Sequence, residues 1–158
     1  MDATGLRILL RELESDCEVA LDSAQKAALR IQEDSPGHLE ASAYELGRLY
    51  NVVERMFERV CEEFENQFEK RGDYHEKLIQ RLSLDLPGIR PALIPKNWLQ
   101  DVRELKGFRY VMRHAYDLTL RSERLLELTR IAQRLTTNLP GWCIEFGEKV
   151  RAEQGWEA

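Results

Sequence analysis

Apolar residues recur every three or four positions through two long segments, and this periodicity constrains the fold more than any other feature of the sequence. The first segment covers residues 6–31 and the second covers residues 43–64. Such spacing places the apolar side chains on one face of a helix. In the second segment the steps alternate between three and four for three heptads, a pattern typical of a bundle core and also of a coiled coil. The apolar positions are Leu6, Leu9, Leu13, Cys17, Leu21, Ala24, Ala28 and Ile31, then Ala43, Leu46, Tyr50, Val53, Phe57, Val60 and Phe64.

Short segments rich in polar residues, glycine or proline separate the predicted helices. Ser35 followed by Pro36 predicts a helix start, with serine as the N-cap and proline at the first helical position. Residues 71–73 predict the end of the second helix, and a short helix is expected over about residues 74–84. Residues 85–95 hold three of the five prolines, so we expect a fixed loop there.

The remainder of the chain predicts two more helices. Asn97 and Gln100 resemble a capping box at the start of one, and Gly107 predicts an interruption within it. The last helix is expected to begin near residues 119–122, with a kink or restart at residues 140–141, Pro-Gly. No segment alternates as a strand does. We therefore predict an all-α, antiparallel bundle of four to five helices, in a single domain spanning residues 1–158.

Composition narrows the class of protein. A hydrophobic content of 43% and a charged content of 32% suit a globular chain, and no apolar run approaches the ~18 residues of a membrane helix. The three cysteines form no CxxC pair and the N-terminus has no signal-peptide pattern, so a reduced, cytoplasmic protein is expected. The Glu-x-x-His motif of dimetal bundles is absent. We therefore predict neither a bound metal nor a cofactor.

Charge is unevenly distributed along the chain. Residues 1–72 carry 16 acidic and 9 basic side chains, whereas residues 96–134 carry 5 acidic and 9 basic side chains. A basic segment inside an acidic protein can mark the docking site of an anionic partner. Ordinary solvated helix charge explains the same numbers.

The basic segment contains FRYVMRHAYD, residues 108–117, in which Arg109, His114 and Tyr116 are spaced R-x-x-x-x-H-x-Y. Five residues of a continuous helix turn through ~500°, so Arg109 and His114 would point ~140° apart. A helix distorted near Gly107, or a two-fold dimer, could bring them together. The alternative is a charged outer face, with His114 exposed and Tyr116 packed on the bundle.

These residues, late in an all-helical chain and just before a final helix, resemble the motif of HEPN-fold proteins of the HepT type. HepT proteins are the ribonuclease toxins of toxin–antitoxin pairs. The family usually has a polar residue directly after the motif arginine, where this sequence has Tyr110. The resemblance implies a homodimer or a higher multiple of it, with a composite cleft between two subunits. It also implies a minimal nucleotidyltransferase antitoxin that transfers AMP from ATP to the motif tyrosine, here Tyr116.

The chemistry of the residues agrees with what the resemblance implies. RNA cleavage without a metal needs a group that removes the 2′-OH proton and cations that stabilise the charged phosphorane. Histidine suits proton transfer at neutral pH, which fits His114, and Arg109 can hold phosphate oxygens. An internal 2′-OH nucleophile selects RNA over DNA, and tRNA and mRNA are candidate substrates. The residues predicted to contact RNA are Lys106, Tyr110, Arg113 and Arg121.

Three hypotheses follow for the function. The first is an RNA endonuclease toxin that is silenced by AMPylation of Tyr116. The second is a non-catalytic HEPN-like module that binds a nucleotide or a nucleotidyltransferase partner, and Tyr110 in place of the usual polar residue keeps it open. The third is a helical scaffold that docks through the apolar stripe of residues 43–64.

Overall fold

Helices make up most of the fold in the computed structural model, which describes residues 1–66, 69–115 and 117–156. Within these ranges there are five α-helices and no strand, as the all-α prediction requires. A 3₁₀ turn at Lys96–Trp98 precedes α4, and one isolated bridge pairs Leu86 with Arg90 in the proline-rich loop. The helices are α1 Ala3–Gln32, α2 His38–Glu65, α3 Tyr74–Leu82, α4 Leu99–His114 and α5 Ser122–Gln154.

Helices α1 and α2 form an antiparallel pair whose facing sides are the two predicted apolar stripes. The side chain of Asp2 caps α1 by accepting from the amide of Gly5 at 2.7 Å. In the second half of α1 the buried positions are Ala20, Ser23, Ala24 and Ala27, so the predicted stripe residue Leu21 lies at the edge of the buried face and is exposed. Small residues there let the two helices approach closely. Helix α5 packs on both, and one continuous apolar core results.

Three local predictions at helix starts and interruptions are wrong. Ser35 is not an N-cap, because α2 begins at His38 and its N-cap is Gly37 with a left-handed φ of 80°. The 3₁₀ turn replaces the predicted capping box, and Gln100 bonds to Glu104 instead. Gly107 does not interrupt α4, since surrounding packing holds the helix through it.

Pro140 also lies inside an unbroken helix. Helix α5 runs from Ser122 to Gln154, and Leu139 and Trp142 on either side of the proline are buried. Burial of this apolar face outweighs the hydrogen bond that proline removes, so the predicted restart does not occur. No helix among the described residues is both long enough and apolar enough to cross a membrane.

A row of polar residues on α2 anchors the second half of the molecule. The row consists of Asn51, Glu54, Glu58 and Glu65, at steps of three, four and seven, next to the apolar stripe. At its C-terminal end the guanidinium of Arg90, which is fully buried, donates to Glu65 at 3.0 Å and to three backbone carbonyls. These bonds fix the proline-rich loop on α2. The rest of the row binds α3 and α4, where the candidate site lies.

Candidate functional site

Helix α4 carries both Arg109 and His114, and it directs Arg109 toward α2. The Arg109 side chain is only 11% exposed. Its guanidinium donates to Asn51 and lies 3.5 Å from an oxygen of Glu54. The guanidinium also stacks over the ring of Tyr50, with 5.2 Å between the guanidinium carbon and the ring centroid. The predicted catalytic arginine is therefore a buried side chain whose bonds go to α2.

His75, in the first turn of α3, completes this set of polar side chains. Its Nδ1 lies 2.7 Å from the second oxygen of Glu54 and 3.4 Å from the Arg109 guanidinium. A carboxylate only accepts hydrogen bonds, so Nδ1 carries the proton and Nε2 is the basic nitrogen. The His75 side chain is 44% exposed, far more than that of Arg109 or Glu54. We call Asn51, Glu54, His75 and Arg109 the Arg109 cluster.

Three groups that border the Arg109 cluster have shifted pKa values, the phenols of Tyr50 and Tyr74 and the carboxyl of Glu58. Burial, and then the charge of Glu54, raise the pKa of Tyr50. Burial acts to raise the pKa of Glu58 as well, but hydrogen bonds from Tyr74 and Arg55 outweigh it and hold that pKa below its usual value. Burial likewise raises the pKa of Tyr74, and its bond to Glu58 adds to the effect. The buried part of the cluster, Arg109 with Glu54, is thus an ion pair shielded from water.

His114 occupies a different environment, at the exposed C-terminal end of α4. Its Nδ1 donates to the carbonyl of Tyr110 at 2.8 Å, and its ring stacks on that of Tyr110 with centroids 4.2 Å apart. A carbonyl only accepts, so Nε2 is again the basic nitrogen. Tyr110 is 61% exposed. The two rings therefore form an exposed platform that presents a basic nitrogen.

The other residues predicted to contact RNA divide between paired and exposed positions. Lys106 donates to Glu76 at 2.6 Å, and Arg103 donates to the other oxygen of the same carboxylate. Arg113 and Arg121 are exposed, and the described residues offer neither of them an ion pair. Tyr116, the predicted AMP acceptor, lies outside the described residues.

The Glu76 contacts also have a pH dependence. Burial acts to raise the pKa of Glu76, but hydrogen bonds from Lys106 and Arg103 outweigh it and lower the pKa below its usual value. A depressed carboxyl pKa stabilises the fold above the unfolded-state value, and this contribution is lost as pH falls through the folded-state value. The Glu76 carboxylate thus links α3 to α4 at neutral pH. Lys106 is part of this link, so its side chain stabilises the fold.

Within one chain, the structure does not bring Arg109 and His114 to a common point. Helix α4 is continuous through Gly107, so the explanation that relied on a distorted helix is wrong. Arg109 is buried against α2, while His114 is exposed at the end of the helix. The two-fold dimer stays a prediction, and the alternative of a charged outer face agrees with the exposed position of His114.

A groove of about 520 Å³ lies beside this end of α4, between α4 and α5. Arg103, Arg121 and Arg124 line it, together with apolar side chains that include Phe108 and Leu118. Arg124 bonds to Glu104 and Glu127, so its charge is largely compensated. Arg121 is the lining cation best placed to meet an anionic ligand. No group of three or more histidine, cysteine or acidic side chains in the described ranges could hold a metal ion.

Sequence reasoning missed His75 and Glu54 as members of the site. His75 lies at the start of a short helix, and its ring bonds to Glu54, 21 residues earlier in the sequence. The signal that could have revealed the pair is the spacing of Asn51, Glu54 and Glu58, which places three polar residues in one row beside a buried stripe. A polar row against a core requires donors from elsewhere in the fold.

Comparison with known proteins gives a family. The family model described as "HepT-like protein" matches residues 41–150, which include α3, α4 and most of α2 and α5. No curated protein and no solved structure shows significant similarity to the chain.

Proposed function

Because the chain belongs to the HepT-like protein family, we propose that it is a HEPN-type RNA endonuclease, the toxin of a toxin–antitoxin pair. The observation that carries the proposal is the arrangement on α4. Arg109 is held in a buried ion pair with Glu54, and His114 presents a basic Nε2 one turn and a half later on an exposed aromatic platform. His114 can transfer the proton, and Arg109 can stabilise the charge on the phosphate.

The reaction would be an internal transesterification. His114 removes the proton from the ribose 2′-OH, the 2′-oxygen bonds to phosphorus, and the bond from phosphorus to the 5′-oxygen breaks. Arg109 stabilises the charge that builds on the phosphorane. Tyr110 stacks on a base, and Arg113 and Arg121 attract the flanking phosphates. The products carry a 2′,3′-cyclic phosphate and a 5′-hydroxyl.

One observation favours the second candidate function. The Arg109 guanidinium already contacts Asn51 and Glu54, so it cannot bind a phosphate fully while these contacts persist. A non-catalytic HEPN-like module that binds a nucleotide or a nucleotidyltransferase would need no such release. Measured RNA cleavage would separate the two functions.

The proposal includes a two-fold dimer, which would place one subunit's His114 near the other subunit's Arg109. Exposed apolar side chains surround this end of α4, and these are Tyr110, Val111 and Leu118, with exposures of 61%, 41% and 39%. Burying these side chains against a second subunit would remove apolar surface from water, which favours association. Light scattering at micromolar concentration should report twice the chain mass of 18.5 kDa, or a multiple of that. A monomer with full nuclease activity would contradict the composite cleft.

The antitoxin partner is proposed to act on Tyr116. Transfer of AMP to its hydroxyl would add a negative phosphodiester within three residues of Arg113 and His114 in the sequence, which would repel RNA and compete for the cations. Incubation with ATP and the cognate nucleotidyltransferase should add mass in AMP steps at Tyr116, with RNA cleavage falling in proportion. Here ATP is a substrate of the partner and not a cofactor of this chain.

The control for this experiment is the Tyr116→Phe variant. It should keep most of its nuclease activity, because the phenol takes no part in attack by the 2′-OH, and it should resist the antitoxin. Tyr110→Phe is the matched variant, since Tyr110 is the nearest other tyrosine and is itself exposed. Modification found on Tyr110, or silencing of Tyr116→Phe at the parent rate, would show that the assignment is wrong.

A further inference from the structure

From the geometry of the Arg109 cluster, we infer that His75 is a second proton-transfer residue, the general acid that protonates the leaving 5′-oxygen. This inference rests on the proposed RNA cleavage. The reaction moves two protons, one off the 2′-OH and one onto the 5′-oxygen, and His114 accounts for only the first. Without an acid, the leaving group would depart as a strongly basic alkoxide.

The position of His75 follows from its contact with Arg109. Its Nδ1 lies 3.4 Å from the Arg109 guanidinium in the same subunit. A phosphate oxygen bound by that guanidinium would sit about 2.8 Å from it. A phosphate oxygen bound by the Arg109 nitrogen next to His75 would therefore lie within about 6 Å of the His75 Nδ1 in the same subunit.

Exposure gives a second, independent reason. Arg109 and Glu54 have side chains only 11% and 9% exposed, whereas that of His75 is 44% exposed. Asn51, the fourth member of the cluster, is exposed as well. Of these two exposed members only the His75 imidazole can gain and lose a proton, so it is the group of the cluster that can act as an acid on a ligand arriving from solvent.

Glu54 prepares the ring for this role. Its carboxylate accepts from Nδ1 at 2.7 Å, which fixes the tautomer and the orientation of the ring and leaves Nε2 to gain and lose the proton. The same carboxylate faces the Arg109 guanidinium at 3.5 Å. Glu54 is a positioning residue, and one side chain thus orients both the acid and the cation.

In the proposed step, protonated His75 gives its Nε2 proton to the 5′-oxygen as the bond from that oxygen to phosphorus breaks. His114 takes the 2′-OH proton as the new bond from the 2′-oxygen to phosphorus forms. One proton is lost and one is gained by the protein, so the step is balanced and needs no other reactant. The two histidines exchange charge states during each turnover and recover them with solvent.

The test compares two substrates that differ in the leaving group. His75→Asn keeps an N–H donor near the position of Nδ1, for Glu54, and removes Nε2. On an RNA substrate it should lose about a hundredfold or more in rate. On uridine 3′-(4-nitrophenyl phosphate), whose leaving group departs without a proton, it should stay within about threefold of wild type. His114→Ala should be slow on both substrates, because it lacks the base.

The matched control is His38→Asn, since the His38 Nδ1 bonds to the Ser35 carbonyl far from the Arg109 cluster. The acid role of His75 is wrong if His75→Asn cleaves RNA at the wild-type rate, or if its cleavage rate falls equally on both substrates. In either case the proposed nuclease function is unaffected. If wild type cleaves neither substrate, the proposed function fails and the inference fails with it.

A measurement on the wild-type protein guards against a variant that does not fold. Titration with uridine 3′-monophosphate should shift the histidine ring proton signals of His75 and His114 in the NMR spectrum and leave that of His38 in place. An unmoved His75 signal alongside a moving His114 signal would also overturn the assignment.

Discussion

Replacing Arg109 with alanine is expected to cost about 3–5 kcal/mol of folding free energy, the amount typical of breaking a buried ion pair from one side. The substitution leaves the Glu54 carboxylate, itself 9% exposed, without its guanidinium, and it removes the stacking on Tyr50. Urea unfolding followed by circular dichroism measures the loss. The Arg109→Ala variant would therefore confuse stability with catalysis in any activity assay.

Two variants separate the buried pair from ordinary surface charge. Arg113→Ala lies one turn further along α4 and is exposed, so its effect should stay within about 0.5 kcal/mol. The double variant Arg109→Ala with Glu54→Gln should recover part of the loss, because it also removes the buried charge that has lost its guanidinium partner. A loss below about 1 kcal/mol for Arg109→Ala, the range of exposed pairs, would contradict the buried ion pair.

Replacing His114 with alanine should leave stability almost unchanged and strongly reduce RNA cleavage. The side chain is exposed and its bond is to a carbonyl of its own helix, so the unfolding free energy should change by no more than about 0.5 kcal/mol. RNA cleavage should fall about a hundredfold or more, the usual contribution of a positioned proton-transfer group. Initial rates on a labelled RNA oligonucleotide, with folding checked in parallel, measure both quantities.

His38→Ala is the matched control for this variant. Its Nδ1 lies 2.9 Å from the Ser35 carbonyl, much as that of His114 bonds to the Tyr110 carbonyl at 2.8 Å. Loss of one histidine and of one local bond is thus common to both variants. His38→Ala should cleave RNA at the wild-type rate, and a folded His114→Ala protein with full activity would end the ribonuclease proposal.

The long elements of the fold could be predicted from sequence because apolar periodicity specifies them. The α2 stripe is in place, the α1 stripe is in place in its first half, and the all-α bundle is confirmed. The failures are local signals that tertiary packing overrides. Gly107 and Pro140 both lie inside continuous helices, because the buried faces of α4 and α5 outweigh the cost of one glycine or proline.

The candidate site could be predicted only in part. Spacing on α4 identified Arg109 and His114, and the angle of ~140° between them on a continuous helix agrees with the structure, which buries one and exposes the other. The contacts of Arg109 could not be predicted, since Asn51, Glu54 and His75 lie 34–58 residues away in sequence and meet it only through packing of α2, α3 and α4. Single-sequence patterns report neighbours along a helix and not partners across helices.

The composition of the product ends, with EDTA present, tests the central claim most directly. Purified protein incubated with RNA and excess EDTA should yield fragments that end in 2′,3′-cyclic phosphate and begin with a 5′-hydroxyl, because the internal 2′-oxygen is the nucleophile and histidines move the protons. Mass spectrometry of the fragments distinguishes these ends. Cleavage that stops with EDTA, or fragments with 5′-phosphate ends, would contradict the account, and so would intact RNA.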